Sequence, residues 1–471
     1  MRRGADAVSG SELVTAAEHD LFALIRGEAS PAVAHGRETA RSRGEERLGR
    51  VRALLEIGGR PDRCYPVVHI AGTSGKGSVA TFVDAFCREA GIASGLHTTP
   101  YLQTPLEKLI SQGRMATPQE FRDLVDWVLG VQSELTRLDP AHEARYGSSW
   151  VALTLEYFRR AGVELAILEA GAGGRFDLTN AVDSLVTAVT SVGHDHVKTL
   201  GPTIRDIAWH KAGIFKPDAP AIMLETRADV LEVLLREAEQ VGARTRVLRE
   251  DADFSCGGGG LTFRGEAIRF EGCRPGMAGR HQLENAAVAA AIADELAMAG
   301  FAIAVQDVVR GLEGARIPGR LEKVADRPTV YLDGAHNRDK AAALAGSLAE
   351  LLQGRRLVLV LGVLGYKSVP ELAAPLAALA GRVVATEPRV HMKRALPAEE
   401  LKDIVGRQCA AVEVEPDPLT AVRIALAGAG DDDVVCVAGS MYLVGNVRSM
   451  WYPTEWVIEA GTSWPPAADG E

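Results

Sequence analysis

The sequence predicts an α/β fold in two domains, and three observations carry that prediction. The first is a series of short apolar runs at 67–72, 164–171, 185–193 and 220–225, separated by helix-length segments. Alternation of this kind builds a parallel sheet covered by helices. The second is another such series at 329–333, 357–364, 382–386 and 434–438. The third is the length of 471 residues, too long for one ordinary core and right for two or three domains. We therefore expect a large N-terminal domain, residues 1–320, around a central, mostly parallel sheet. A smaller, Rossmann-like C-terminal domain, residues 321–471, should follow it.

The first sixty residues read as helix with charged interruptions. Residues 31–46 carry little apolar periodicity and read as a surface segment, whereas Leu48 to Ile57 has apolar residues at helical spacing. Val67–Gly72 is a buried strand running into a glycine-rich turn. Between Phe254 and Gly272, four glycines (Gly257–Gly260) and the runs around them predict a hairpin turning at Gly265. An alanine-rich helix should run from about His281 to Ala299, with Gly300 placed to end it. Arg316-Ile317-Pro318-Gly319-Arg320 and the charged stretch Glu322–Pro328 read as a domain boundary. No internal repeat is apparent.

Charge and cysteine usage narrow the class. Lys plus Arg is 52 and Asp plus Glu is 62, a net charge of −10. A general nucleic-acid binder needs the opposite sign to neutralise phosphates. The six cysteines are scattered with no C-x-x-C pair, which fits reduced thiols in a cytoplasm. Met1-Arg2-Arg3 is not followed by the apolar stretch of a secretory signal. The longest apolar run, Leu357–Gly365, is about half of what spans a bilayer. We expect a cytoplasmic monomer with neither a membrane nor a nucleic-acid partner.

The strongest signal is Gly72-Thr73-Ser74-Gly75-Lys76-Gly77-Ser78, directly after a strand and before a helix. Its glycines let backbone N–H groups turn inward on a polyphosphate, Lys76 can reach the terminal phosphates, and Ser78 can ligate Mg²⁺. It departs from the Walker pattern, because Ile70 stands in place of the first glycine and Gly77 separates the lysine from the serine.

This loop resembles that of the Mur ligase superfamily, specifically the folylpolyglutamate synthase/dihydrofolate synthase family. The likeness continues in order through Glu169-Ala-Gly-Ala-Gly-Gly-Arg175-Phe-Asp177-Leu-Thr-Asn180, Gly193-His194-Asp195-His196 and Lys211-Ala-Gly-Ile-Phe-Lys-Pro217. It resumes at Gly279-Arg-His281-Gln282-Leu-Glu-Asn285, Pro318-Gly319-Arg320, Asp333-Gly-Ala-His336-Asn337 and Gly439-Ser440-Met-Tyr-Leu-Val-Gly445. The match spans residues 46–450.

The resemblance implies an ATP-dependent carboxylate–amine ligase. A substrate acid would be phosphorylated to an acyl phosphate, and the amine of an amino acid, L-glutamate in this family, would displace phosphate. Closure of the C-terminal domain would exclude water from that intermediate. It also implies site residues: Gly72 to Ser78, Asn285, Arg320 and Asp333 for the nucleotide, and Ser78, Thr99, Glu169 and His196 for the metal. Thr99 replaces a serine of the family. Glu169 and His196 each follow a strand, where ligands collect at the carboxyl ends of a parallel sheet. By residue type alone, Glu169 also reads as a surface carboxylate and His196 as a satisfied core histidine. An imidazole ligand suits Mn²⁺ as readily as Mg²⁺. Lys211 stands where the family carries a carbamylated lysine, and a desolvated, neutral amine can add CO₂; otherwise it is a lysine that pairs with phosphate. Asp333 and His336 would close over the nucleotide and position the amino acid. Gln282 and Asn285 either face the nucleotide together or pair within their helix. Lys216 reads as a solvated charge, and Lys367, Arg394 and Ser440 as weaker candidates for the amino acid's carboxylates.

Two other functions fit parts of this reading. One is a ligase of the same superfamily acting on a non-folate acid; the other is a phosphate-loop ATPase or nucleotide switch without ligation. A departure from the family bears on the first. The region Thr99-Pro100-Tyr101-Leu102-Gln103-Thr104-Pro105-Leu106-Glu107-Lys108-Leu109 keeps two charges, but Tyr101, Pro105 and Leu106 replace polar or aromatic family positions. Ser149-Trp150-Val151 loses a further polar group. Removing polar groups from a discriminating site redirects its choice. The expectation is weak or absent activity on dihydropteroate, with the phosphate chemistry persisting on another acid.

Overall fold

The computed structural model describes residues 9–25, 36–140, 145–224, 226–365, 369–390 and 393–465, with backbone alone for 36–40. The first domain is built on eight strands: β1 (Val67–Ala71), β2 (Ser94–His97), β3 (Ile110–Ser111), β4 (Arg114–Met115), β5 (Leu165–Glu169), β6 (Val186–Val189), β7 (Pro220–Leu224) and β8 (Arg244–Leu248). Their order is β4-β3-β2-β5-β1-β6-β7-β8. The six strands from β2 to β8 in that order run parallel, and the β3–β4 hairpin adds antiparallel to β2. Every residue of β1 and β5 is buried, as a parallel sheet covered on both faces requires.

On one face lie the helices Lys76–Glu89, Arg280–Met298 and Val305–Gly314. Small residues let them approach closely. Ala286–Ala293 is fully buried throughout, and a Cβ on Gly311 would stand 2.4 Å from the Phe86 backbone. The opposite face is covered by Gly36–Ile57, Pro118–Leu138 and Tyr146–Arg160. Gly36–Ile57 is one continuous helix, so 36–46 is helical where the weak periodicity suggested only a surface segment. Strong helix formers and the i,i+4 pairs Arg41–Glu45 and Arg50–Glu46 suit a helix with little apolar character.

Three further strands, β9 (Phe254–Gly257), β10 (Gly260–Arg264) and β11 (Arg269–Cys273), form an antiparallel meander. The turn after Gly265 is present, but a second turn at 258–259 adds a strand, with Gly260 at φ +105°. The Asp294 carboxylate accepts the N–H groups of Glu266, Ala267 and Ile268, which fixes the first turn.

The second domain carries β12 (Glu322–Asp326), β13 (Thr329–Leu332), β14 (Leu357–Leu361), β15 (Arg382–Ala385), β16 (Val412–Val414) and β17 (Val434–Ala438), ordered β12-β13-β17-β14-β15-β16. All neighbours are parallel except β12, which is antiparallel to β13. The charged stretch read as a boundary is therefore an edge strand, a place where charged side chains protect the sheet from further pairing. The final helix, Thr454–Ala460, returns to the first domain: Val457 and Ile458 are buried in its core, and Met115 N–H donates to Gly461 O at 2.8 Å.

All six cysteines are free thiols. Among the described residues no helix is long and apolar enough to cross a membrane.

Candidate active site

Between the two domains lies a cleft of about 640 Å³. Its floor is the loop from β1 to the helix Lys76–Glu89. The Thr73 hydroxyl exchanges hydrogen bonds with Gly193, accepting from its N–H at 3.0 Å and donating to its O at 3.1 Å. Ser191 receives Ser74 N–H at 3.0 Å, and Thr190 donates to Ser74 O at 2.5 Å. The loop is thus held from the end of β6, its neighbour in the sheet. Gly75 has φ +85°, and a Cβ there would come within 2.1 Å of Asn285 Oδ1. A Cβ on Gly77 would stand 3.3 Å from Glu169 Oε2. Both glycines therefore let a neighbouring side chain, Asn285 or Glu169, approach the loop closely.

Glu169, at the end of β5, accepts Thr99 N–H at 2.9 Å and has Lys76 Nζ 3.9 Å from its other oxygen. Burial raises its carboxyl pKa, and Lys76 opposes the rise. Ser78, buried in the first turn of the helix, lines the same wall with Thr99. Lys211 is 2% exposed, and burial holds its amine well below the ordinary lysine range, with the nearby Lys76 adding to that depression.

The second domain supplies the opposite wall. Asp333, after β13, accepts Leu321 N–H and Ala335 N–H, both at 2.7 Å. Burial raises its pKa against the pull of Arg320. Leu321 takes φ +46°, a strained conformation for a branched residue that the Asp333 bond helps to hold. Lys340, in the first turn of the helix Arg338–Leu352, lines the cleft and is pushed down to about 7 by burial, with Arg320 and Lys76 adding repulsion. Its Nζ lies 3.1 Å from His336 Nε2, and His336 Nδ1 lies 2.8 Å from Gly334 O. A carbonyl can only accept, so Nδ1 carries the proton and Nε2 accepts from Lys340. Asn337 Nδ2 donates to Asp195 Oδ2 at 3.0 Å, joining the two domains directly.

Residues 70–293 match the Mur ligase middle domain, and residues 319–441 the Mur ligase glutamate ligase domain. The dihydrofolate synthase/folylpolyglutamate synthase of Bacillus subtilis is 30% identical over 407 residues, covering 85% of this chain and 94% of the relative. The chain belongs to this family. The Mycobacterium tuberculosis folylpolyglutamate synthase, solved with ADP, superposes with a TM-score of 0.82 at 30% identity over 94% of this chain and 99% of that one. The Yersinia pestis bifunctional enzyme, solved with AMPPNP and a manganese ion, gives 0.76 at 25% identity, covering 94% and 99%.

Within this family member the phosphate-loop residues, Thr99, Glu169, Asn285, Arg320 and Asp333 all border the one cleft, save Gly72, which lies just behind it as the lysine's backbone partner. Gln282 and Asn285 line the cleft and are bonded to one another at 2.9 Å. His196 is not brought to the others; it is exposed, at φ +52°, and outside the cleft lining. His336 stands just behind the lining, reaching it through Lys340. Lys216 is not a solvated charge: it donates to Asn180 Oδ1 at 3.0 Å and is pushed down to about 8 by burial. Ser440 caps the helix Met441–Arg448, Arg394 is exposed, and Lys367 lies outside the described residues. Lys340 and Asp339 were missed. Their signal was the position just after Asn337, the N-cap of a helix opening on the cleft.

The residues present fit a nucleotide polyphosphate and a hard divalent cation. The Ser74 hydroxyl is buried without a hydrogen-bond partner among the described residues, and the loop lines the cleft from Thr73 to Ser78. Two hydroxyls and a carboxylate are the oxygen donors that Mg²⁺ takes. The acid side is more occupied than its charges suggested. Tyr101 O–H donates to Glu18 at 2.6 Å, Glu107 accepts the N–H of Leu102, and Lys108 sits 3.8 Å over the Trp150 ring.

Proposed function

We propose that this chain is an ATP-dependent ligase joining L-glutamate to a folate-type acid, with ADP and phosphate as the other products. The observation that carries the reading is the single cleft in which Lys76, Ser78 and Glu169 of one domain face Arg320, Asp333 and Lys340 of the other. A switch or simple ATPase has no need for a second domain that places three charged groups against its phosphate loop. The Bacillus subtilis relative of matching length carries the folate name, and this chain carries the glutamate ligase domain.

Ser78, Thr99 and Glu169 would hold the divalent cation, Mg²⁺ or Mn²⁺, with His196 as a fourth ligand delivered by rearrangement of the 193–197 turn. Once bound, the cation neutralises phosphate charge during transfer. Lys76 and the planar fork of Arg320 bind and orient phosphate oxygens from opposite domains. Lys211, whose charged form burial disfavours, adds CO₂ through its neutral amine and releases a proton to become an anionic carbamate. Asp333 holds the hinge at Leu321, His336 holds the amino-acid side, and Lys340 faces the phosphate loop. Most of the acceleration is then positioning and charge neutralisation.

A second reading, a different acid, is favoured by one observation: the Tyr101 hydroxyl is spent on Glu18 and the Glu107 carboxylate on backbone N–H groups. One experiment decides between them. Products are identified by mass spectrometry from a panel of pteroates, reduced folates and other acids with ATP and each amino acid. Glutamylated folate is expected; ATP turnover only with a non-folate acid would overturn the first reading.

A further inference from the structure

Arg448 is the largest side chain with no exposure at all. It ends the helix Met441–Arg448, and its guanidinium reaches three other segments. Nε donates to both oxygens of Glu322 on β12, at 2.9 and 3.0 Å. Nη1 donates to Gln103 Oε1 in the loop after Thr99, and Nη2 donates to Ser463 O at 2.7 Å. The rings of Tyr452 and Trp464 cover its faces at 4.2 and 5.2 Å.

Each of these partners leads to a wall of the cleft. Glu322 also accepts Gly319 N–H at 2.7 Å, and the next residues are Arg320 and the strained Leu321. Gln103 follows Leu102, whose side chain and carbonyl are wedged against Gly319 and Gly445. Ser463 and Trp464 line the cleft themselves. One buried cation therefore fixes the hinge that presents Arg320, the loop that presents Thr99, and the segment that walls both.

We propose that Arg448 is a positioning residue for ligation, holding the 99–103 loop in register with the 319–322 hinge so that the acid and the phosphates meet. The proposal rests on the ligase reading above. Its rival is a brace that supports stability alone.

Arg448→Met would strand the buried Glu322 carboxylate and is prone to misfold. Gln103→Ala is the sharper variant, since it frees the loop from Arg448, Tyr452 O and Thr454 Oγ1 while leaving the Arg448–Glu322 pair in place. In the full chain we expect it to raise the acid KM at least about tenfold, the scale of one lost hydrogen bond to a charged group. The ATP KM and the ADP Kd should stay within about twofold, and amide exchange should quicken over 99–107 but not over 319–322. Arg448→Lys, with no fork to reach Glu322 and Gln103 together, should weaken ADP binding and quicken exchange in both segments. Unchanged acid KM in Gln103→Ala, or equal changes for acid and ATP, would overturn the proposal. Exchange and ADP binding need no turnover, so a wild-type protein that ligates no folate would sink the functional reading while these two measurements still decide this one.

Discussion

Lys76 Nζ stands 3.9 Å from Glu169 Oε1 and makes its hydrogen bond instead to Gly72 O, at 3.0 Å, within its own loop. The lysine is folded back over its own loop. A phosphate oxygen there offers a stronger, charge-assisted partner than the carbonyl it would leave. The pair therefore stores the cation beside its place of use, with the buried carboxylate keeping it from solvent.

Lys76→Ala should abolish ligation and leave the fold intact. The side chain is partly exposed and fills no core cavity, so the stability change should stay within about 1 kcal/mol. Ligation rate and thermal melting measure the two. A folded variant ligating at near wild-type rate would show that the loop does not bind the transferred phosphate.

Gly75→Ala tests the other half of the loop. Its φ of +85° penalises any Cβ by about 1–2 kcal/mol, and the added methyl must displace the Asn285 amide. The expected outcome is a lower melting temperature together with weaker ADP binding, read by calorimetry.

Lys211 should be carbamylated. Burial holds this amine well below its ordinary range, which favours the neutral form that adds CO₂. Incubation with ¹³C-bicarbonate should give a carbamate carbon resonance that disappears in Lys211→Ala. That variant should lose activity and recover part of it with small carboxylates. Retained activity without additive would remove the residue from the reaction.

Lys340 predicts a pH signature. Burial and two neighbouring cations bring it to about 7 in the free protein, and polyphosphate beside it restores the protonated form. Nucleotide binding at pH 8 should therefore take up a proton, and the uptake should vanish near pH 5, where the lysine is already charged. Calorimetry in buffers of different ionisation heat reads this directly, and Lys340→Met should reduce the uptake. The unfolded lysine binds the proton more tightly, so this residue's contribution rises with pH between about 7 and its unfolded value.

Most of this site was legible because phosphate chemistry leaves a local mark. Gly72–Ser78 sits between a strand and a helix, and the turns carrying Glu169 and Asp333 each follow an apolar run. What escaped was set by tertiary contact. Ser94-Gly95-Leu96-His97 is strand β2, yet its polar residues break the apolar pattern; His97 is buried against the Lys108 carbonyl and Thr154. Arg448 in a last helical turn reads as an ordinary dipole partner, and only the fold shows a guanidinium sealed between two domains. His196 was expected by likeness to its family, and its outward turn is a property of the backbone at φ +52° that its residue type does not announce.

The return of the helix Thr454–Ala460 to the first domain fixes how the second can move. The chain crosses between domains twice, at 319–322 and at 449–453, so the second domain is attached at both of its ends. A body tethered at two points keeps one easy freedom, rotation about the line joining them, like a door on two pins. Arg320 lies beside one pin and barely travels, whereas Lys340, well along the chain from either pin, sweeps an arc. On the proposed reading, a phosphate clamp at Arg320 would be in place at every angle, and Lys340 would meet the phosphate loop only as the door swings shut.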